Sequence, residues 1–400
     1  MKALLTYSFI VCALVVFFLL GCEKRFDLSV LPDPGEIVTI GDTSYVEIFP
    51  PWGGFENPRA VMVGNDHLIY VADYDRNKVF MLDASGAFLD TLNVLHPISL
   101  TQNSKLDLYI GGETIAPNGI DTIGSIYKVY LVRFDTTYVA RIDTIIGPFG
   151  DTTIVPIVRD TSFFADHNFD LAPVRIVRQE PAHPKRRFPG IGILPGNDYL
   201  VSRTGPDNSS FVDPDTRVLL FHRSDALPPR PLADLATRPS GGTFITDINQ
   251  LTGIMVFPSS SDFVLTQSSE GVAYGAIWMI YQKTPDFDGW IPKYDPSKPE
   301  QRIVDFIRPY RFLNATAAAY DRRRRELFIV DAQLDSVVKF NRNGQFRKES
   351  FGKYKTASNE FPGLDNPQGV AFSNDCTLYI ADTGNKVIRR FKLSIQTSCF

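Results

Sequence analysis

The chain has few of the residues that build metal centres and disulfide frameworks. Its 400 residues include only four cysteines and five histidines. No His-Glu-x-x-His sequence and no cysteine pair at zinc spacing occurs in it. A Gly-x-Ser-x-Gly elbow and a glycine-rich phosphate loop are absent as well. The sequence therefore carries no local signature of a zinc protease, a serine hydrolase or a nucleotide-binding enzyme.

An excess of positive charge is missing too. The formal net charge is −4, so bulk electrostatics give no reason to expect a nucleic-acid partner. Stretches rich in Ala, Leu, Glu and Lys are nearly absent, whereas 30 Phe, 16 Tyr, 28 Pro and 28 Gly are present. This composition favours many short strands joined by turns. We predict an all-β protein that does not bind nucleic acid.

The long apolar run lies at the N-terminus. It begins near Phe9, follows a start that carries only Lys2, and ends at Cys22 after a small residue, as export signals do. The segment Leu-Leu-Gly-Cys resembles the lipobox of bacterial lipoproteins, which implies cleavage after residue 21 and a lipid on Cys22. The alternative is a transmembrane anchor, but the run is shorter than the roughly 20 residues of a bilayer span.

This resemblance sets the expected domain organisation and location. We expect a signal peptide at 1–21, a tether at 22–40 and a folded domain at 41–400, anchored to a membrane of the cell envelope. Glu23 follows the lipidated cysteine, in place of the aspartate that retains some lipoproteins at the inner membrane. This difference favours the outer membrane.

An internal repeat organises the folded part of the chain. Asn57-Pro58 precedes Tyr-Val-Ala-Asp73, and Asn366-Pro367 precedes Tyr-Ile-Ala-Asp382, with 15 residues from proline to aspartate in both (58 to 73 and 367 to 382). A third copy ends at Asp331. Each copy has the pattern of a meander of short strands, and the pattern resembles the NHL repeat. The resemblance implies a six-bladed β-propeller of four-stranded antiparallel blades, with insertions in the middle blades.

Six blades leave residues to spare, and the largest insertion is expected at about 135–179, as hairpin strands that project from blade 2. Smaller insertions are expected at 203–215, 227–243 and 284–300. The last repeat has three strands of its own, so we predict that the segment 44–48 supplies its fourth strand and closes the ring.

Two features are predicted to be structural. The aspartates that end the second strands, Asp73, Asp331 and Asp382, are expected to accept backbone N–H groups of the turn that follows. Cys376 and Cys399 are expected to form a disulfide, since both lie in the last blade of an exported protein. Two unpaired thiols are the alternative.

The candidate ligand site is one mouth of the central channel, where the loops that enter the innermost strands converge. Polar residues expected there are Glu56, Asn57, Arg59, Asn314, Asp365, Asn366 and Gln368. We predict a non-catalytic binding platform for a protein or glycan partner, without catalytic residues and without a cofactor. The alternative is a metal-dependent hydrolase or lyase in the channel. Propellers similar to lactonases hold calcium or zinc there without a local motif, so the sequence leaves such an ion open.

Overall fold

The computed structural model describes residues 44–146, 152–164, 169–232, 235, 237, 241–352 and 363–394, and for 133–146 and 152–164 only the backbone. The predicted signal peptide, the tether, Cys22 and Cys399 lie outside these ranges. Residues 43–400 form one compact unit. Helical segments within the described ranges are three-residue 3-10 turns, and none is long and apolar enough to cross a bilayer.

Six four-stranded antiparallel sheets around an axis make up the fold, which confirms the predicted six-bladed β-propeller. The chain enters through β1 (Tyr45–Glu47). Blade 1 follows with β2 (Pro58–Val63), β3 (Ile69–Asp73), β4 (Lys78–Leu82) and β5 (Phe88–Asn93). Blade 2 begins with β6 (Leu95–Gln102), β7 (Asp107–Ile115) and β8 (Thr122–Tyr130).

The predicted insertion in blade 2 is a two-stranded antiparallel hairpin, as expected. It consists of β9 (Val132–Ile146) and β10 (Thr152–Phe164), and residues 147–151 between them lie outside the described ranges. Blade 2 is completed by β11 (Val174–Gln179), which pairs with β8. Residues 174–179, which the prediction included in the insertion, therefore belong to the blade itself.

Blades 3 to 5 complete most of the ring. Blade 3 contains β12 (Arg187–Ile193), β13 (Tyr199–Thr204), β14 (Arg217–Phe221) and β15 (Arg230–Pro231). Blade 4 contains β16 (Leu251–Val256), β17 (Phe263–Gln267), β18 (Ala276–Lys283) and β19 (Asp288–Pro292). Blade 5 contains β20 (Ala315–Asp321), β21 (Glu326–Asp331), β22 (Ser336–Phe340) and β23 (Phe351–Gly352). The strands β15 and β19 lie in segments that the sequence analysis expected to be insertions. Both are short edge strands that contain proline, and such strands are hard to recognise in a sequence.

The ring closes as predicted. Blade 6 consists of β24 (Pro367–Phe372), β25 (Leu378–Asp382), β26 (Val387–Leu393) and, as its outermost strand, β1. Tyr45 pairs with Leu393 and Glu47 pairs with Phe391. The Glu47 carboxylate also accepts two hydrogen bonds from Arg389, from Nε at 2.8 Å and from Nη2 at 2.5 Å. Charge-assisted bonds therefore join the two ends of the propeller.

Cys376 is buried and disulfide-bonded. It lies in the turn between β24 and β25 of blade 6. Because Cys399 lies outside the described residues, its pairing with Cys376 stays a prediction.

The hydrophobic core lies between the blades rather than within them. Every residue of β3 and β25 is buried, since neighbouring blades cover both faces of the inner strands. One core cluster joins Val71 and Phe80 of blade 1 to Tyr379 of blade 6. Full burial of one such side chain contributes about 1.5–3 kcal/mol. Blade-to-blade packing thus fixes the positions of the innermost strands around the axis.

Each innermost strand has a register shift near its start, and a small residue follows each shift: Ala60, Ser99, Gly190, Gly253, Ala317 and Gly369. The strands approach closely at this level. A Cβ atom on Gly190 would lie 2.4 Å from the backbone nitrogen of Ile254 in the next blade. The shifts redirect the residues beside them, as β-bulges do, and bring these residues to the channel.

Candidate functional site: the charged mouth of the channel

The residues around the register shifts line a cavity of about 310 Å³ at the channel end where the innermost strands begin. We call it the mouth cavity. Seven of the residues that line it have polar or charged side chains: Arg59, Ser99, Arg187, Thr204, Thr252, Thr316 and Gln368. A second cavity of about 660 Å³ adjoins it toward the other end of the channel, and its wall combines apolar residues such as Val63 and Phe372 with polar ones such as Asn65 and Arg322. Two arginines, Arg59 and Arg187, thus line the mouth cavity, and a third, Arg322, lines the cavity deeper in the channel.

Two of the seven predicted site residues line the mouth cavity, and two more hold them in place. The Nε of Arg59 donates a hydrogen bond to Asn57 Oδ1 at 2.8 Å. In blade 6, Gln368 Nε2 donates to Asn366 Oδ1 at 2.6 Å. The Asn-Pro-x sequence therefore has the same use in both blades, since its asparagine positions the side chain two residues later.

Glu56, Asn314 and Asp365 are not among the residues that line the mouth cavity. Glu56 is exposed, and its carboxylate lies 3.8 Å from Arg76 Nε. The backbone N–H of Asn314 bonds to Asp331, and that of Asp365 bonds to Asp382. These three residues belong to the loops that surround the cavity.

A charged cluster that sequence reasoning missed lies beside Arg59. Glu113 is 3 % exposed, and its Oε1 accepts a 2.6 Å hydrogen bond from Arg187 Nε. Its Oε2 lies 3.0 Å from His96 Nδ1. The His96 ring stacks on Tyr74 at 4.4 Å between centroids, and the Arg59 guanidinium lies 5.3 Å from the centroid of Tyr74. Side chains from three blades thus form one connected group at the mouth.

The charges of this cluster shift the pKa of two of its members. Burial by itself would raise the pKa of Glu113, but hydrogen bonds from Thr122 and His96 and the positive charge of Arg187 outweigh it and hold that pKa below its ordinary value. The pKa of Tyr74 is raised, first by burial and then by the negative charge of Glu113. Glu113 is therefore a carboxylate and Tyr74 a neutral phenol at neutral pH.

Arg187 is held rigidly on both sides. Its Nη1 donates to the carbonyl groups of Pro184, at 2.6 Å, and Arg186, at 2.8 Å. The preceding residue, Arg186, is 1 % exposed and forms ion pairs with Asp215 at 2.7 Å and Asp213 at 2.8 Å. This buried network ties the loop that enters β12 to the loop after β13. The cation at the mouth cavity is therefore preorganised.

One position in every blade shows what is unusual about this cluster. The residue of the second strand that pairs with the innermost strand just before its register shift is here called the entry position: Asp73, Glu113, Thr204, Gln267, Asp331 and Asp382. In blades 1, 4, 5 and 6 its side chain accepts a backbone N–H from the loop that enters the innermost strand. In blade 2, Glu113 instead binds His96 and Arg187.

The three aspartates accept backbone N–H groups, as predicted, but most of these groups lie in the loop before the innermost strand and not in the turn that follows. Asp331 accepts backbone N–H groups from Gln333 and Leu334 in the turn that follows, as expected, and also from Leu313 and Asn314. The backbone partners of Asp73 and Asp382 lie in the loops that enter the innermost strands. These aspartates therefore fix the loops around the mouth cavity.

The sequence contained a signal for Glu113 that the repeat comparison did not use. The stretch Tyr109-Ile110-Gly111 of blade 2 matches Tyr70-Val71-Ala72 of blade 1, so an alignment of the two strands would have shown Glu113 one position after the place of Asp73. Arg187 and His96 have no such signal. His96 reaches Glu113 across the first two strands of blade 2, and Arg187 reaches it from blade 3.

Within the described ranges, no group of three or more His, Cys, Asp or Glu side chains lies close enough together to hold a metal ion. The calcium or zinc ion that the sequence left open thus has no cluster of these four residue types within these ranges. We derive no step through a metal ion for this protein.

No protein-family model matches the chain, and no curated protein sequence does. Solved structures with the same fold exist at low identity. One is an auxiliary nutrient binding protein from Bacteroides thetaiotaomicron, 10 % identical, with a TM-score of 0.52 over 87 % of this chain and 72 % of the other. Another is a luciferin-regenerating enzyme, 11 % identical, with a TM-score of 0.52 over 89 % and 98 %. These likenesses support a six-bladed propeller.

Proposed function

We propose that this protein is a lipid-anchored envelope protein whose propeller binds a protein or glycan partner at the mouth cavity without chemical turnover. The observation that carries the proposal is the preorganised charged mouth. Arg59 and Gln368 are each held by an asparagine, and Arg187 is held by Glu113 and by two carbonyl groups. Side chains that are already fixed lose little conformational entropy when a partner binds.

The fold is compatible with binding and with catalysis. Its structural neighbours include a protein named for nutrient binding and one named as an enzyme, and a propeller by itself does not determine function. The proposal therefore depends on the residues of the mouth and not on the neighbours.

Binding at the mouth can be tested by filling the cavity. We expect Gln368→Trp, in the full chain in detergent, to lower binding to a glycan array or to a panel of envelope proteins at least tenfold, because the indole occupies the mouth cavity. Lys105→Trp is the matched control, since Lys105 is exposed in a turn at the other end of the channel. Unchanged binding by Gln368→Trp, or no binding by the wild type, contradicts the proposal.

The anchor is a separate part of the proposal and rests on the sequence Leu-Leu-Gly-Cys22. Cells fed with an alkyne-labelled fatty acid should label the wild type, and the protein should fractionate with membranes, with the outer membrane expected. Cys22→Ser should abolish both. Equal labelling of the Cys22→Ser variant would show that the lipid is not on this residue.

A second candidate function is favoured by one contact. His96 Nδ1 faces the buried carboxylate of Glu113 at 3.0 Å, and a histidine oriented by a carboxylate is suited to general acid–base catalysis. A hydrolase or lyase would use this pair next to the mouth cavity. Turnover of a lactone or polysaccharide panel by the wild type, lost in His96→Gln, would place the enzyme ahead of the platform.

A further inference from the structure

One cation at the mouth cavity has open donors. Arg59 uses Nε for Asn57, and its guanidinium lies against the Tyr74 ring. Among the described residues, no acceptor bonds to its Nη1 or Nη2. The guanidinium is half-buried and lines the mouth cavity. An oriented guanidinium with two open terminal nitrogens has the geometry that binds a carboxylate in a bidentate manner.

The charged side chains around the cavity give it an excess of one positive charge. Arg59 and Arg187 both line it, and the buried carboxylate of Glu113 offsets the charge of Arg187 at 2.6 Å. Glu56, which is outside the cavity lining, pairs with Arg76. Asp75 bonds to Asn57 Nδ2 at 3.0 Å in an exposed position, where water screens its charge. One excess positive charge in a partly enclosed site matches a monoanion better than a dianion such as phosphate.

Size and surroundings indicate what carries the anion. A volume of about 310 Å³ lies at the lower end of the range for ligand pockets, which suits one sugar ring. The innermost strands are edge strands of their sheets, so unpaired backbone N–H and C=O groups border the channel. These backbone groups, together with Gln368 and Thr204, can form hydrogen bonds with the hydroxyl groups around a sugar ring. An acidic amino-acid side chain has no such hydroxyl groups.

We propose that the mouth cavity binds an acidic sugar, with its carboxylate held by Nη1 and Nη2 of Arg59. This assignment rests on the proposed function, since it names the chemistry of the glycan that the platform would bind. Asn57 and Tyr74 orient the Arg59 guanidinium, and Arg187 adds to the positive potential of the cavity. Gln368 forms a hydrogen bond with a hydroxyl group of the sugar ring.

Calorimetric titration of the full chain in detergent tests the assignment, with galacturonate and uncharged galactose to millimolar concentration. We expect galacturonate to bind and galactose to bind at least tenfold more weakly. Arg59→Gln should lower the galacturonate affinity at least tenfold, and Arg59→Lys should restore only part of it, since lysine keeps the charge but not the fork. The matched control is Arg76→Gln, because Arg76 lies nearby but does not line the cavity.

Several outcomes would overturn the assignment. These are equal affinity for galactose and galacturonate, unchanged binding in Arg59→Gln, tighter binding of sulfate, or binding of a glutamate-rich peptide in place of the sugar. The failure can be separated from failure of the platform itself. If Gln368→Trp still abolishes binding of another glycan or a protein, the platform stands and the acidic-sugar assignment falls. If Gln368→Trp has no effect either, both fall.

Discussion

Blade 5 and blade 2 use the same position for different purposes. At the entry position of blade 5, Asp331 is fully buried and bonds to four backbone N–H groups. At the entry position of blade 2, Glu113 is almost as buried, but its carboxylate faces His96 and Arg187 at the mouth. The burial of an acidic residue therefore does not determine its role. Its partners do, since one residue fixes a loop and the other holds charged side chains at a cavity.

The comparison predicts the largest loss of stability at Asp331. We expect Asp331→Ala to lower the free energy of unfolding by about 4 kcal/mol, because several buried N–H groups lose their acceptor at once. Urea unfolding of the full chain followed by tryptophan fluorescence measures it. A loss below about 1 kcal/mol would mean that water replaces the carboxylate, and the structural role would be wrong.

Gln267 should rank next. Its Oε1 accepts the backbone N–H of Asn249, and its Nε2 donates to the carbonyl groups of Asp247 and Tyr274. We expect Gln267→Ala to cost about 3 kcal/mol in the same unfolding experiment, from lost hydrogen bonds and a small cavity. If Gln267→Ala lowered the free energy of unfolding no more than a substitution at an exposed residue does, Gln267 would not have the structural role that Asp331 has in blade 5.

Glu113→Gln should cost less, about 2 kcal/mol at neutral pH, because the amide oxygen still accepts one hydrogen bond. Its pH dependence gives the sharper test. The pKa of Glu113 is lowered in the folded protein, so its contribution is present above the ordinary glutamate value, about 4.3, and is lost as the pH falls through the lower folded value. Unfolding curves from pH 7 to pH 3 should therefore converge for wild type and variant. A constant difference would contradict the assignment.

Thr204 should show the smallest effect of the series. Among the described residues its hydroxyl has no hydrogen-bond partner, although it occupies the entry position of blade 3. We expect Thr204→Ala to change the free energy of unfolding by less than about 0.5 kcal/mol, and to weaken galacturonate binding about threefold if the hydroxyl contacts the sugar. A large loss of stability would mean that every entry position is structural.

Much of the fold was accessible from the sequence because its information is local. The Asn-Pro and Tyr-x-Ala-Asp elements recur at a fixed interval in blades 1 and 6, and blade 5 could be recognised from the buried strand that ends at Asp331. The closing strand could be predicted by counting strands, since the last repeat lacked one strand and the segment 44–48 lacked a partner. Strands such as β15 and β19 were missed because their few residues carry no alternating pattern.

The candidate site was only half accessible. Arg59 and Gln368 could be named because each follows Asn-Pro at the start of an innermost strand. Their approach to the channel depends on register shifts, which no single residue signals. Glu113, His96 and Arg187 come from three strands and two blades. Pairing of β6 with β7 brings His96 to Glu113, and packing of blade 3 on blade 2 adds Arg187.

The closing strand has a consequence for the order in which the fold can form. Since β1 pairs with β26, the first propeller strand to be synthesised can pair only after the last one has been made. Blades 1 to 5 can form from contacts between nearby residues, whereas closure needs a contact between the two ends of the domain, which makes this step slow in general. Until it forms, Phe391 and the neighbouring edge of the sheet lack their cover. A late, exposed stage of synthesis is therefore built into the topology of the ring.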